Sequence, residues 1–338
     1  MEEIDLKAIK QNYQYIRSLT NKEVIGVVKS DGYGFGMIEV CKALQDANVK
    51  MVAVNEIDEA ITIKQNQFIF DVLVMNPIEV NDYHKLYSHN GIIYTISSIN
   101  EALNLNNYCN LKEIRVHLHI DTGMNRFGIR TLDEYLQVLG IVLNNEKFKF
   151  EGIYSHITSE KNFFNQASSF KKYIKEMVPK YSHLQASSTY SYPLIGNCVR
   201  IGLDLYGDGS KKNIKQALKV TCKIIEIRKL KPNQTLGYNE NYKSVEEEYI
   251  AILPIGYYNG FDRRLTGYSV YIKGSYYKIV GNICMNHIFV KVDDKITNND
   301  VVEVISEHVT LKSMANYLNT VPGEILTRLN IKNKIYKE

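Results

Sequence analysis

Short apolar runs and longer amphipathic stretches alternate through the first two thirds of the chain. Eight runs have the length and continuity of strands buried on both faces: Val24–Val28, Met51–Val54, Val72–Met75, Gly91–Ile96, Ile114–Ile120, Phe150–His156, Leu184–Ser187 and Val199–Leu205. Between them, Met37–Ala47, Glu56–Gln65, Asn100–Tyr108, Leu132–Asn145 and Phe164–Val178 carry helical spacing, and Leu6–Arg17 adds a helix before the first strand. This alternation predicts a closed (β/α)8 TIM barrel, with an open doubly wound sheet as the competing topology.

Near Leu218 the pattern changes to consecutive strands. They are Val220–Arg228, Tyr249–Leu253, Tyr268–Ile272, Tyr277–Val280, Ile288–Val292 and Val301–Val304, separated by turns such as Lys231-Pro232-Asn233 and Lys273-Gly274-Ser275. Two short helices, Leu311–Leu318 and Glu324–Leu329, close the chain. The expected fold class is α/β: a (β/α)8 barrel over residues 1–217, then a mostly β domain over 218–338. A length of 338 residues accommodates both.

Composition narrows the function classes. The net charge of +4 is modest and the basic residues are scattered, in clusters no longer than Lys211-Lys212 or Lys332–Lys337. That argues against a nucleic-acid partner and is compatible with an anionic small molecule. Cys41, Cys109, Cys198, Cys222 and Cys284 are odd in number and include no CxxC pair, so neither a zinc site nor a disulfide framework is expected. Met1-Glu2-Glu3-Ile4-Asp5 lacks a signal-peptide pattern and no apolar run is long enough to span a membrane, so a cytoplasmic location is expected.

Candidate chemistry gathers at or just after the strand ends, where a TIM barrel places its active site. Val27-Val28-Lys29-Ser30-Asp31-Gly32-Tyr33-Gly34-Phe35-Gly36 sets a lysine where an apolar strand meets a glycine-rich turn. A desolvated lysine there has a lowered pKa and acts as a nucleophilic amine; the alternative is a side chain that reaches solvent. His117–Gly128 contains Asp121-Thr122-Gly123-Met124 and Arg126, whose planar fork suits a carboxylate or phosphate. His117 and His119 lack a third ligand at metal spacing, so no metal is expected. His156 ends its strand as a base, a stacking partner or a structural residue. Gln185-Ala186-Ser187-Ser188-Thr189 offers hydroxyls, and Val199–Gly207 offers Arg200 and the backbone of Gly202 and Leu203 for an anion. The β domain adds Gly237–Tyr242, Pro254–Tyr257 and Gly281–Asn286.

Together and in this order, the segments resemble the alanine racemase family, pyridoxal-phosphate (PLP) enzymes built from a barrel and a β domain. The likeness runs from Glu3-Ile4-Asp5-Leu6 to Ile335-Tyr336. It implies a PLP-dependent isomerase that interconverts L- and D-alanine, supplying D-alanine for peptidoglycan, as a homodimer with shared active sites. By resemblance, Lys29 forms the imine with PLP, and Tyr238 is the acid/base on the opposite face, contributed by a partner subunit. Tyr33, Ser188, Gly202 and Leu203 would hold the phosphate, Arg200 would face the pyridine nitrogen, and His156 would support the ring. Arg126 and the N–H of Met285 would hold the substrate carboxylate, and Tyr257 would line the entrance. Because arginine keeps its proton, little transamination is expected.

Three positions depart from the family pattern. His119 stands where a carbamylated lysine usually orients the arginine. Asn286 replaces the aspartate after Cys284-Met285. Gly323 aligns with a tyrosine that narrows the substrate channel, as in the serine/alanine racemase branch associated with vancomycin resistance, which also lacks tyrosine there. A serine or broad-specificity racemase is therefore an alternative. The others are a PLP-dependent decarboxylase of the same fold, a non-catalytic PLP-binding protein and a weakly active PLP-binding paralogue.

Overall fold

The computed structural model describes residues 1–109, 112–331 and 333–338, so Lys332 of the C-terminal basic cluster lies outside the described residues. The chain forms two compact units: Tyr13–Leu205, and Met1–Asn12 together with Tyr206–Glu338. After a first strand in the second unit, β1 (Glu2–Asp5), eight strands close into a barrel. They are β2 (Glu23–Val27), β3 (Met51–Val54), β4 (Asp71–Pro77), β5 (Ile92–Ile96), β6 (Ile114–His119), β7 (Phe148–Tyr154), β8 (Tyr181–His183) and β9 (Cys198–Ile201). Neighbours pair in parallel in sequence order, and β9 returns to β2 with Val199 opposite Val24. This settles the choice between the two topologies in favour of the closed barrel.

The barrel interior changes character along its axis. Ile25, Val27, Met51, Ala53, Leu73, Ile93 and Cys198 form one apolar cluster. Burying each large aliphatic side chain contributes about 1.5–3 kcal/mol, an upper bound for a chain already compact when unfolded. Counting by two along the strands leads from this cluster to a different chemistry: Val27 to Lys29, Ala53 to Asn55, Leu73 to Met75, Cys198 to Arg200 and Gly202. The alternation that builds the core thus delivers Lys29, Asn55 and Arg200 to the C-terminal mouth, while Met75 still packs on the apolar cluster.

One expected strand is displaced. The run Leu184–Ser187 is not a strand; β8 lies before it, at Tyr181–His183. Its buried histidine takes a hydrogen bond from Arg200, so the strand lacks the apolar signature the pattern sought. The Val199–Leu205 run also stops as a strand at Ile201, and Leu203–Tyr206 makes one helical turn.

The second unit carries a nine-stranded sheet. From edge to edge it runs Glu226–Leu230, Glu248–Leu253, Ile288–Val292, Ser275–Val280, Ser269–Ile272, Val301–Ile305, Leu218–Lys223, Glu2–Asp5 and Lys334–Lys337. The expected Val220–Arg228 strand is two strands that pair with different partners. β1 joins the sheet antiparallel to Leu218–Lys223 and parallel to Lys334–Lys337, with Ile4 opposite both Leu218 and Tyr336. Two helices, Leu311–Leu318 and Pro322–Arg328, complete the unit. No helix among the described residues is long and apolar enough to cross a membrane.

Candidate active site

Lys29 opens a turn of unusual hand. Ser30 (φ 54°, ψ 54°), Asp31 (54°, 45°) and Gly32 (61°, 44°) are all left-handed, and Tyr33 follows with φ 57°. Left-handed helical backbone costs roughly 1–2 kcal/mol per L-residue with a side chain, so Ser30, Asp31 and Tyr33 together store roughly 3–6 kcal/mol. Backbone bonds Gly32 N to Val28 O (2.9 Å) and Gly34 N to Ser30 O (3.0 Å) hold the turn. Its exit is tied by the Asp31 carboxylate, which accepts from Met37 N–H at 2.8 Å. Lys29 and Tyr33 both line the cavity above the apolar core. Burial, then the charge of Arg126, lowers the Lys29 pKa, with Glu59 opposing. Burial pushes the Tyr33 phenol up to about 12, so it stays a hydrogen-bond donor at neutral pH. Its hydroxyl lies against Gly202, where an added Cβ would come within 2.4 Å. Any larger residue there would push the Tyr33 hydroxyl aside.

Arg200 is buried, yet its partners are all neutral. Nη1 donates to His183 Nδ1 (2.6 Å) and to the His183 carbonyl (3.2 Å). Nη2 donates to the Ser155 carbonyl (2.7 Å) and to His156 Nδ1 (3.2 Å). The guanidinium also sits over the Tyr154 ring, 4.9 Å from its centroid. Burial brings the Arg200 pKa down to about 10, which leaves it charged at neutral pH. An imidazole that accepts from arginine at Nδ1 must be neutral and carry its proton on Nε2. His183 then donates from Nε2 to His117 Nδ1 at 3.2 Å. Burial first, and nearby arginines second, hold His117, His119 and His156 down at about 3 and His183 well below its ordinary value.

These neutral histidines should make the barrel acid-sensitive. The unfolded chain takes up protons near pH 6.5 that the folded chain refuses until about pH 3. Their stabilisation is therefore complete above pH 6.5 and is lost as pH falls from there toward 3. Each histidine adds a slope of up to about 1.4 kcal/mol per pH unit. Denaturant unfolding between pH 7 and pH 5 should show this loss, and substituting His119 by phenylalanine should reduce the slope. A flat profile would contradict the assignment of neutral histidines.

The remaining wall comes from two loops. Arg126 faces the cavity, packs over Phe127 (4.9 Å to the ring centroid) and forms no ion pair among the described residues. Asp121 shapes its loop, one carboxylate oxygen accepting from the N–H groups of Gly123, Met124 and Asn125 at 2.9, 2.8 and 3.1 Å. Ser187 and Ser188 both line the cavity beside Gly202 and Leu203. Ser188 is the exposed one, whereas Ser187 Oγ accepts from Asp204 N–H at 3.2 Å. The cavity holds about 330 Å³. It brings together Lys29, Tyr33, Arg126, His156, Ser188, Arg200, Gly202 and Leu203 of the sequence-predicted set. Sequence reasoning passed over Asn55 and Asn76, and gave no role to Tyr154; all three line it, as does Ser187 of the hydroxyl-rich segment. Asn55 and Asn76 lie at the ends of β3 and β4, and that position in a barrel was the available signal.

Tyr238, Tyr257 and Met285 belong to the second unit. Three of its loops are stitched together there. Asn282 Nδ2 donates to the Tyr238 carbonyl (2.8 Å), Tyr257 N–H to the Cys284 carbonyl (3.1 Å) and Tyr258 N–H to the Met285 carbonyl (3.0 Å). The result is an exposed cluster of large side chains, with Tyr238 70% exposed.

Two family models match the chain: alanine racemase, N-terminal domain, over residues 4–210, and alanine racemase, C-terminal domain, over residues 217–336. The chain belongs to the alanine racemase family. It is 30% identical to alanine racemase of Staphylococcus epidermidis over 350 residues, covering 97% of this chain and 91% of that protein. Alanine racemase from E. faecalis superposes with a TM-score of 0.93 at 28% identity, covering 99% of this chain and 97% of that one. The Bartonella henselae alanine racemase with covalently bound pyridoxal phosphate gives 0.91 at 25% identity, covering 100% and 99%.

Two departures from the family pattern have a definite structural setting. His119 is buried, stacked on Tyr154 (4.5 Å between centroids, 10° between planes) and edge-on to Phe127 (4.9 Å). As a neutral ring it brings no negative charge to Arg126. Gly323 lies in the first turn of Pro322–Arg328, and a Cβ there would meet nothing within 4 Å.

Proposed function

We propose that this chain interconverts L- and D-alanine on PLP held at the C-terminal mouth of the barrel, as a cytoplasmic homodimer. The observation that carries the reading is the meeting of Lys29, Arg126 and Arg200 in one cavity of a chain that belongs to this family. The residues fit PLP. Lys29 is a partly desolvated amine. Tyr33, Ser188, Gly202 and Leu203, with Ser187 beside them, surround room for the phosphate. Four Arg200 N–H groups are used by the barrel, which leaves Nε–H for a ring nitrogen. His156, neutral and flat, supports the ring.

Bound PLP supplies the electron sink that makes an amino acid's Cα–H removable. This chain supplies the rest. Lys29, with its ammonium form disfavoured, takes or returns the proton on one face. Arg126, which has no ion pair among the described residues, grips the substrate carboxylate together with the Met285 N–H of a second copy, whose Tyr257 borders the entrance. Tyr238 of a second copy serves the other face, which is why the active unit is a dimer. Inversion requires both faces, since a single base returns the proton to the side it came from.

The test is incubation of the purified protein with PLP and L-alanine or L-serine, followed by separation of enantiomers. D-alanine should accumulate toward equality with L-alanine. Decarboxylation products or unchanged L-alanine would overturn the reading; relatives that are alanine racemases over their full length favour neither outcome. Gly323, where the family pattern has a channel-narrowing tyrosine, favours serine as a second substrate. A hydroxyl or methylene is worth only about 1–3 kcal/mol in such a pocket. Gly323→Tyr should therefore suppress serine turnover about tenfold more than alanine turnover. Equal losses on both substrates would contradict this.

A further inference from the structure

Glu59 is the third residue of the helix Ile57–Gln65 that follows β3. One carboxylate oxygen, Oε2, does what such a residue does at a helix start, accepting from Glu56 N–H (3.1 Å) and Asn55 N–H (3.0 Å). Capping needs no more than that. The other oxygen, Oε1, leaves the helix and accepts from Ser30 N–H of the turn after β2 at 2.6 Å. Ser30 is the first of the left-handed residues, directly after Lys29. A strained backbone persists only where its surroundings over-determine it. Here a carboxylate fixes the entry of the turn from one neighbouring element, while Asp31 fixes its exit at Met37.

We propose that Glu59 is a positioning residue: its carboxylate locks the left-handed turn and thereby fixes Lys29 and Tyr33 on the cavity wall. The proposal rests on the reading of Lys29 and Tyr33 as residues that hold PLP. Lys29 and Tyr33 are the two ends of the locked segment, so loosening it spoils both the covalent and the phosphate attachment at once. A carboxylate accepts at both oxygens, whereas glutamine turns an NH2 group toward one set of N–H donors. Glu59→Gln thus keeps the size of the side chain and removes one anchor.

The experiment titrates PLP into apoenzyme and follows amide hydrogen exchange in segments 29–34 and 57–65, for wild type, Glu59→Gln, Ser30→Gly and the double variant. Glu59→Gln should weaken PLP binding roughly tenfold, the equivalent of one charged hydrogen bond, and speed exchange in segment 29–34. Glycine adopts left-handed backbone without strain, so Ser30→Gly in the Glu59→Gln background should recover most of the affinity. A helix cap lost from Ile57–Gln65 could not be repaired from Ser30. Glu59→Gln affinity within about twofold of wild type overturns the proposal. So does a loss that Ser30→Gly leaves in place while only segment 57–65 loosens. If Glu59→Gln alone does not fold, the double variant must fold and bind PLP, and its failure also overturns the proposal. Borohydride reduction of wild-type holoenzyme separates the two readings. PLP fixed on a lysine other than Lys29 overturns the site itself. PLP on Lys29 with unchanged Glu59→Gln affinity overturns the role of Glu59 alone.

Discussion

Lys29→Ala should abolish alanine racemisation in both directions, lowering kcat by at least about 10³-fold while the barrel stays folded. The side chain lines the cavity and makes no hydrogen bond among the described residues, so truncation removes chemistry rather than structure. Loss of a partly buried ammonium also relieves repulsion with Arg126, one of the causes that lower the Lys29 pKa. Thermal stability should therefore hold or rise slightly. PLP should still bind through the phosphate contacts, but more weakly and reversibly. Circular dichroism, an enantiomer assay and equilibrium dialysis of PLP check the three parts. Retention of a tenth or more of wild-type activity would remove Lys29 from the mechanism.

Tyr238→Phe should produce a comparable loss with a different signature. Removing the phenol leaves Lys29 and its face of the substrate intact. One enantiomer of alanine should then continue to exchange its Cα hydrogen with deuterium from solvent, without inversion, while racemisation falls about 10²–10⁴-fold. The other enantiomer should neither exchange nor invert. Lys29→Ala should show the opposite preference in whatever residual exchange it retains. Tyr238 is 70% exposed in its own unit, so the substitution should leave folding unchanged. Equal residual exchange of both enantiomers in Tyr238→Phe would argue against two bases on opposite faces.

Much of the barrel could be read from alternation alone, because a strand buried on both faces announces itself as an apolar run. The reading failed where chemistry replaced apolarity. Tyr181–His183 is a barrel strand, but its buried histidine serves Arg200, and the neighbouring Leu184 drew the expected strand forward. Glu2–Asp5 and Lys334–Lys337 were passed over because each is only four residues long and largely polar, and their pairing is a long-range event invisible to local pattern.

Candidate site residues divide along the same line. Lys29, Arg126 and Arg200 stand out because charged side chains next to apolar strands need a reason. Asn55, just after β3, and Asn76, near the end of β4, are ordinary polar residues until the barrel closes around them. Glu59 was one unremarked acid in the helical stretch Glu56–Gln65, and only the position of Ser30 N–H reveals its second task. The left-handed hand of residues 30–33 was likewise hidden, since Gly32 and Gly34 predict a turn without saying that Ser30, Asp31 and Tyr33 share its strain.

The proposed chemistry stands on one covalent attachment. Purified holoenzyme, reduced with borohydride, digested and mapped by mass spectrometry, should carry reduced PLP on the peptide containing Lys29 and on no other lysine. PLP on a different lysine, or no covalent adduct in an enzyme that racemises alanine, would contradict it.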